Sequence, residues 1–448
     1  MKMKLISATL ALVIASSMML AGCGKTNEPV KDSVQESKVQ SQDSATKVEE
    51  EKPVELKMLV YNSELDEKTY KERAALVKAK YPNITLTIQN VAQNYEQKLQ
   101  TMLAGGQGPD LFVTGESSNS YASKGSSIAL DEYVSKAGLN LDDTFGTSYK
   151  SYIYKGKLYA IPDRSGAMVL YYNKDMFDKA GVSYPTKDWT WTEFLDAAKK
   201  LTITQNGKVT QYGFAEGDWW PWWMCFMYQN GGRLLDDNYE KVVVKSPENI
   251  EALTFYQDLI YKNKVAPDAK GYQSFGANNN SPDPLFAQGH AAMELTGFWN
   301  VGSLKNVKDL NWDMAPVFKQ KQGATFSFGN GFAINSQCKE PDAAFKAITY
   351  LASEEGQAPM VANNQDAPSN VKLLNSDKFI KPAGLENKNF KAFSESANII
   401  VSPPYHVKWN EIDRQTKIVI GKLLDNSKTP TEVVDELDKV LNEIISSK

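Results

Sequence analysis

Between residues 54 and 113 the hydrophobic period of the chain switches back and forth between two and about 3.6, and this restricts the fold more than any other feature. Val54, Leu56, Met58 and Val60 recur at every second position, which predicts a strand ending at Tyr61-Asn62. A helical stretch follows to Lys80, where Tyr81-Pro82-Asn83 stops it. Ile84, Leu86 and Ile88 alternate again, then a helical segment through Leu99 and Met102 ends at Gly105-Gly106. A short apolar run, 110–113, closes the series. Strand, helix, strand, helix, strand is the order of a parallel sheet with crossover helices.

Later segments continue in an α/β pattern. Residues 157–162 and 168–172 predict two adjacent strands, and 291–295, 311–317 and 331–335 three more. Thr190 and Glu193 have the spacing of a capping box, with Phe194, Leu195, Ala198 and Leu201 on one helix face behind it. Pro247 opens a helix through Leu253, Tyr256 and Leu259, and beyond Pro341 the chain turns mostly helical. In the last helix Thr429 caps, Pro430 takes the first turn and Glu432 completes the box, ahead of a stripe of Val433, Val434, Leu437, Val440, Leu441 and Ile444.

The start of the chain points to export. Lys2 and Lys4 precede an apolar run from Leu5 to Ala21, so residues 1–22 read as a signal segment, too short and wrongly flanked to span a membrane. Leu20-Ala21-Gly22-Cys23 resembles a bacterial lipobox, which implies cleavage before Cys23 and a diacylglycerol thioether on its sulfur. Two acyl chains anchor a protein where one would hold it marginally, so a lipid-anchored location on the extracytoplasmic face is expected. The competing reading is an ordinary secretory signal. Residues 23–53 lack aromatics and large aliphatics beyond scattered Val, and read as a disordered tether. About 395 residues remain, too many for one hydrophobic core, so two lobes are expected.

Composition removes several function classes. The net charge is −4 and no basic cluster is present, which speaks against a nucleic-acid partner. With only His290 and His406, no metal-binding His/Cys motif, no nucleophile elbow and no phosphate-cradling loop, neither a catalytic triad nor a metal or cofactor is expected. Beyond Cys23 only Cys225 and Cys338 remain; an exported pair can form a disulfide, but their spacing matches no framework or metal motif, so two buried thiols are the favoured reading. A glycoside-active enzyme needs only two carboxylates, so that alternative stays open.

Six segments in order carry a family resemblance: 156–181 (GKLYAIPDRSGAMVLYYNKDMFDKAG), 189–202 (WTWTEFLDAAKKLT), 229–237 (QNGGRLLDD), 289–300 (GHAAMELTGFWN), 327–335 (SFGNGFAIN) and 341–357 (PDAAFKAITYLASEEGQ). Together they resemble the extracellular solute-binding proteins of ABC importers, in the sugar-binding group that includes maltose-binding protein. The resemblance implies a two-lobed α/β fold of the type II periplasmic-binding-protein kind. Each lobe would be a mostly parallel sheet flanked by helices, with a ligand cleft at the hinge. By analogy one lobe covers 54–163 and 326–369, the other 164–325 and 370–448, with crossings near Pro162-Asp163, Thr325-Phe326 and Pro368-Ser369. It further implies a monomer that binds a small solute, breaks no bond, and hands it to permease subunits driven by separate ATPases.

A sugar offers an apolar face of C–H bonds and an equator of hydroxyls, so a site for it needs flat aromatics and hydrogen-bonding side chains. Four of the nine tryptophans crowd into GDWWPWW, 217–223. Pro221 suits a first helical turn, which puts Trp222 and Trp223 in the core and leaves Trp219 or Trp220 to stack on ligand. By the family pattern Trp299 after Gly297-Phe298 faces solute, with Asn300 beside it. Tyr61 and Asn62 end the first strand, and Glu116 stands just past the third, where a charged acceptor would bond hydroxyls strongly. Asp163 and Arg164 at a crossing either bind solute or pair with each other. Asn330, between two glycines, suits close approach by a ligand or marks a bend. Gln365 precedes the last crossing, and Tyr405 supplies a further aromatic by the family pattern. An alternative solute, a polyamine or organic cation, would use the same rings with Asp218, Glu116 or Asp163 as counter-charge.

Overall fold

The computed structural model describes residues 52–61, 64–91, 93–277 and 281–447. The expected signal segment, the Cys23 anchor, the tether up to residue 51 and Asn62 lie outside them.

The first lobe is built on the alternation that opens the folded chain. Strands Val54–Tyr61, Ile84–Val91 and Leu111–Thr114 run parallel, with Val54 opposite Ile84 and Met58 opposite Leu111. Helices Glu64–Lys80 and Tyr95–Ala104 make the crossovers. Thr325–Ile334 joins the edge antiparallel, placing Ile334 opposite Leu111. Leu56, Met58, Val60, Phe112, Phe332 and Ile348 are buried in one core.

In the second lobe the strand sense differs from the expected mostly parallel sheet. Val169–Asn173 is fully buried and antiparallel to both neighbours, Met293–Thr296 and Trp312–Ala315. The 212–215 segment runs parallel to its partner, through isolated bridges to Ala291 and Glu294, and Thr190 bridges Lys319 in the same sense. The reason is topological: Val169–Asn173 carries the chain away from the lobe junction, and the strands on either side bring it back. The expected adjacency of 157–162 with 168–172 fails for a related reason. Ile161–Ala167 pairs instead with Thr325–Ile334, Ser327 facing Ala167 and Phe332 facing Ile161.

Both capping boxes form as expected, at Thr190 with Glu193 and at Thr429 with Glu432. Helix Trp220–Gln229 has every residue buried, because WPWWMCFMYQ is apolar on all sides and such a helix belongs inside. Trp222 and Trp223 sit in that core as expected, Trp222 Nε1 donating to the Leu295 carbonyl at 2.8 Å. The two thiols are free: Cys225 is buried in this core, but Cys338 is only half-buried against the other. His290 packs on Phe275, ring centroids 4.2 Å apart.

Three extended segments lie side by side where the cores meet. Thr325–Ile334 has Phe326 in the second lobe's core and Phe332 in the first. Beside it Ser165 N donates to Ala367 O at 3.0 Å, and Arg164 bridges Pro368. This junction is pinned by a buried ion pair. Arg73 and Asp163 have no exposed surface, and Nη2 meets Oδ1 at 2.5 Å. Tyr70 donates to Asp163 Oδ2 at 2.8 Å, while Arg73 also reaches the carbonyls of Gly356 and Leu351. Replacing such a pair by apolar groups can be neutral, but removing one partner strands the other charge out of water. Asp163→Ala is therefore expected to lower stability by about 3–5 kcal/mol, read as a lower urea midpoint, and an unchanged midpoint would contradict this account.

Candidate functional site

Three half-exposed rings meet at the junction. Trp299 opens the short helix Trp299–Leu304 and is the most exposed of them, at 39%. Its indole lies flat on Gly297, where a Cβ would sit 1.9 Å from Trp299 Cζ3. The Gly-Phe-Trp sequence thus has a mechanical meaning: Gly297 leaves the room that the indole fills, and Phe298 turns into the core. Phe328 stands edge-on to Trp299 at 5.2 Å, and Trp219 lies 5.9 Å from Trp299 and 4.7 Å from Phe328. Phe328 comes from the strand shared by the two cores, so the trio forms at the joint.

Trp220 does not join them. It is 1% exposed, wedged among Phe326, Phe328, Tyr405 and Trp409, because the helix starts one residue earlier than a loop position would require. Of the two candidates, Trp219 alone has surface to offer. Tyr405 is also corrected to a packing position: it is buried between Trp220 and Trp409, and its backbone carbonyl accepts from Asn119 Nδ2 at 2.7 Å across the lobes. Asn300 is buried too, its amide committed to Glu294 Oε1 at 2.6 Å.

A polar group lies on the first lobe's side. Glu116 follows strand Leu111–Thr114, and its Oε2 accepts from Trp409 Nε1 at 3.1 Å. Burial holds the Glu116 carboxyl up at about 7, with Asp413 and Glu96 adding to the rise and the indole N–H of Trp409 opposing it. Tyr61 is half-buried, its ring 4.1 Å from Tyr95 and its hydroxyl donating to Glu96 at 3.2 Å. Tyr121 donates to the other Glu96 oxygen.

The second polar group is at the junction itself. Arg164 Nη2 meets Asp66 at 3.1 Å and the Tyr70 hydroxyl at 3.1 Å, and Nη1 meets Asp366 at 3.5 Å. Burial lifts the Asp366 carboxyl to about 6, with Arg164 opposing. Gln365 Nε2 donates to Asp66. Asp163 is corrected from a possible solute contact to the buried partner of Arg73, with Arg164 Nε a further 3.7 Å away. Asn330 is half-buried, and the glycine before it answers to crowding: a Cβ at Gly329 would lie 2.5 Å from Arg164 O.

Four contributors escaped the sequence reading. Phe328 lay inside a quoted segment but carried no motif of its own. Asp66, Glu96 and Asn119 stand near the carboxyl ends of the parallel strands, the general position for ligand groups in such sheets. That rule marks a region and does not single out side chains. No group of three or more His, Cys, Asp or Glu side chains among the described residues could hold a metal ion.

Residues 62–358 match the family described as bacterial extracellular solute-binding protein. The arabinooligosaccharide-binding protein of Bacillus subtilis is 27% identical over 315 residues, covering 67% of this chain and 70% of the relative. An ABC substrate-binding protein of Listeria monocytogenes, solved in complex with cycloalternan, superposes with a TM-score of 0.75 at 29% identity, covering 88% of this chain and 100% of the other. A solute-binding protein of Thermotoga lettingae bound with α-D-tagatose gives a TM-score of 0.70 at 25% identity over the same shares. The two-lobed α/β fold is common to these structures, and with its rings and polar groups gathered at the lobe junction this chain belongs to the bacterial extracellular solute-binding protein family.

Proposed function

We propose that the protein captures a carbohydrate outside the cytoplasm and passes it, unaltered, to the permease of an ABC importer. The observation that carries the proposal is the trio Trp219, Trp299 and Phe328, half-exposed at the joint between two cores and flanked by hydrogen-bonding groups. Flat rings suit the C–H face of a sugar, and the polar groups suit its hydroxyls. The relatives that bind arabino-oligosaccharide, maltotriose and cycloalternan support this choice of solute.

In this proposal Trp299, Trp219 and Phe328 stack on the solute. Glu116, Tyr61, Asn62, Asn330, Arg164, Gln365 and Asp366 supply polar contacts. The lobes divide as 54–163 with 326–369 and 164–325 with 370–448, and a solute touching both favours their closed arrangement by its differential affinity. The lipid anchor at Cys23 and the tether would keep the receptor near its transporter. An organic cation is a poorer fit, because burial lifts the Glu116 carboxyl to about 7 while Asp163 and Asp218 are already paired with Arg73 and Lys417.

A thermal-shift screen of mono- and oligosaccharides tests the reading, since binding raises stability by mass action. Failure of every carbohydrate at millimolar concentration would remove it. With a sugar in hand, Trp299→Ala is expected to weaken binding tenfold or more by calorimetry, about 1.4 kcal/mol. Gly297→Ala should do the same by lifting the indole off its seat.

Glu116 gives the binding a pH dependence. Hydroxyls donating to its carboxylate favour the charged form, so the bound-state value falls below the free value of about 7. Affinity should then rise with pH through the window below 7 and level off above it, a trend that Glu116→Gln abolishes. A falling or flat profile in the unaltered protein would take Glu116 out of the contact set.

A further inference from the structure

Behind Trp299 lies a knot of oxygen atoms that the stacking surface does not use. Glu294 and Thr296, on strand Met293–Thr296, have no exposed surface. Asp283, on the short helix Pro282–Ala287, reaches the same place and meets Glu294, Thr296 and the Trp299 indole. Asn300 occupies Glu294 Oε1. Glu294 Oε2, Asp283 Oδ1 and Thr296 Oγ1 are left buried without a hydrogen-bond partner of good geometry.

Two carboxylates in contact, Glu294 wholly buried and Asp283 with one oxygen shut off from water, do not both remain charged. One proton between them resolves the conflict: the protonated carboxyl donates, the other accepts, and two orphan oxygens are satisfied by a single bond. We infer that Asp283 and Glu294 share one proton and act together as positioning residues for Trp299, Asp283 holding the indole N–H while Gly297 seats the ring face. Calling this positioning rests on Trp299 being a solute contact; the proton-sharing does not.

The groups facing the pair leave no simpler source of compensation. Tyr171, on the central strand, gives its hydroxyl to the Gly297 carbonyl at 3.0 Å. Tyr272 gives its hydroxyl to the Glu216 carbonyl, and Glu216 itself is a buried carboxyl with both oxygens unpartnered, one residue past the bridge from Ala215 to Glu294. No lysine or arginine among the described residues forms an ion pair with Asp283 or Glu294. Burial pushes the Glu294 carboxyl well up, and the neighbouring Asp283 pushes it further. The shared proton is thus held beyond the pH at which a free carboxyl gives it up, and its loss puts a second negative charge behind the indole.

The test uses the full chain labelled with 15N-tryptophan, whose nine indole N–H groups report separately in a proton–nitrogen correlation spectrum. Trp299 is identified by the signal missing in Trp299→Phe. Its shift should follow pH with a midpoint well above the ordinary carboxylate range of about 4. Glu294→Gln and Asp283→Asn, both isosteric, should each move that midpoint down, since each takes away one of the two carboxyls that share the proton. Glu116→Gln should leave the titration in place. A Trp299 signal that is flat with pH, or a titration that neither isosteric variant alters, overturns the inference. So does a shift produced by millimolar Ca2+ at constant pH and reversed by chelator, which would put a metal ion in the proton's place. None of these readouts needs a bound solute. The inference can therefore fail while the proposed function stands, and the reverse holds if Trp299→Ala leaves carbohydrate affinity unchanged.

Discussion

The buried pairing of Arg73 with Asp163 is the constraint on which the rest of the architecture depends. It joins the first crossover helix to a junction strand, and through the Gly356 and Leu351 carbonyls to the helices that follow the long shared strand. With Asp163 fixed, Arg164 next to it shares the Tyr70 hydroxyl and reaches on to Asp66 and Asp366. The two neighbours thus tie one polar cluster together, Asp163 to Arg73 and Arg164 to Asp66 and Asp366.

How much of this was legible in the sequence depends on the distance over which each signal acts. Local chemistry was readable: both capping boxes, the proline-led helices and the alternation of the first sheet follow from neighbours within a few residues. Strand pairing was less so. Nothing near Ile161–Ala167 says that its partner lies some 160 residues downstream in Thr325–Ile334, and the sense of the second lobe's sheet depends on where the chain must return.

The same limit shaped the site. Trp299 was singled out by a family pattern, and the crowding of its ring on Gly297 two residues before gives that pattern a physical reason. Trp219 and Trp220 are adjacent, and which of them faces outward was fixed by the start of the helix, a boundary that sequence locates only to within a few residues. Tyr405 and Asn300 are residue types that suit a sugar, but each met a buried partner from a distant segment, Tyr405 with Trp220 and Asn119 and Asn300 with Glu294. Phe328 went unnoticed because phenylalanine on a strand is ordinarily core, and only its place between two cores gives it an exposed edge.

The clustering of indoles has a spectroscopic consequence. Trp219 lies 6.2 Å from Trp220, 5.5 Å from Trp222 and 5.9 Å from Trp299, and Trp220 is 5.3 Å from Trp409. Chromophores this close exchange excitation before they emit, so light absorbed anywhere in the chain of rings can leave through whichever member has the lowest-energy excited state. A quencher meeting one outer ring would dim its hidden companions as well, and the emission of this cluster reads as that of one antenna.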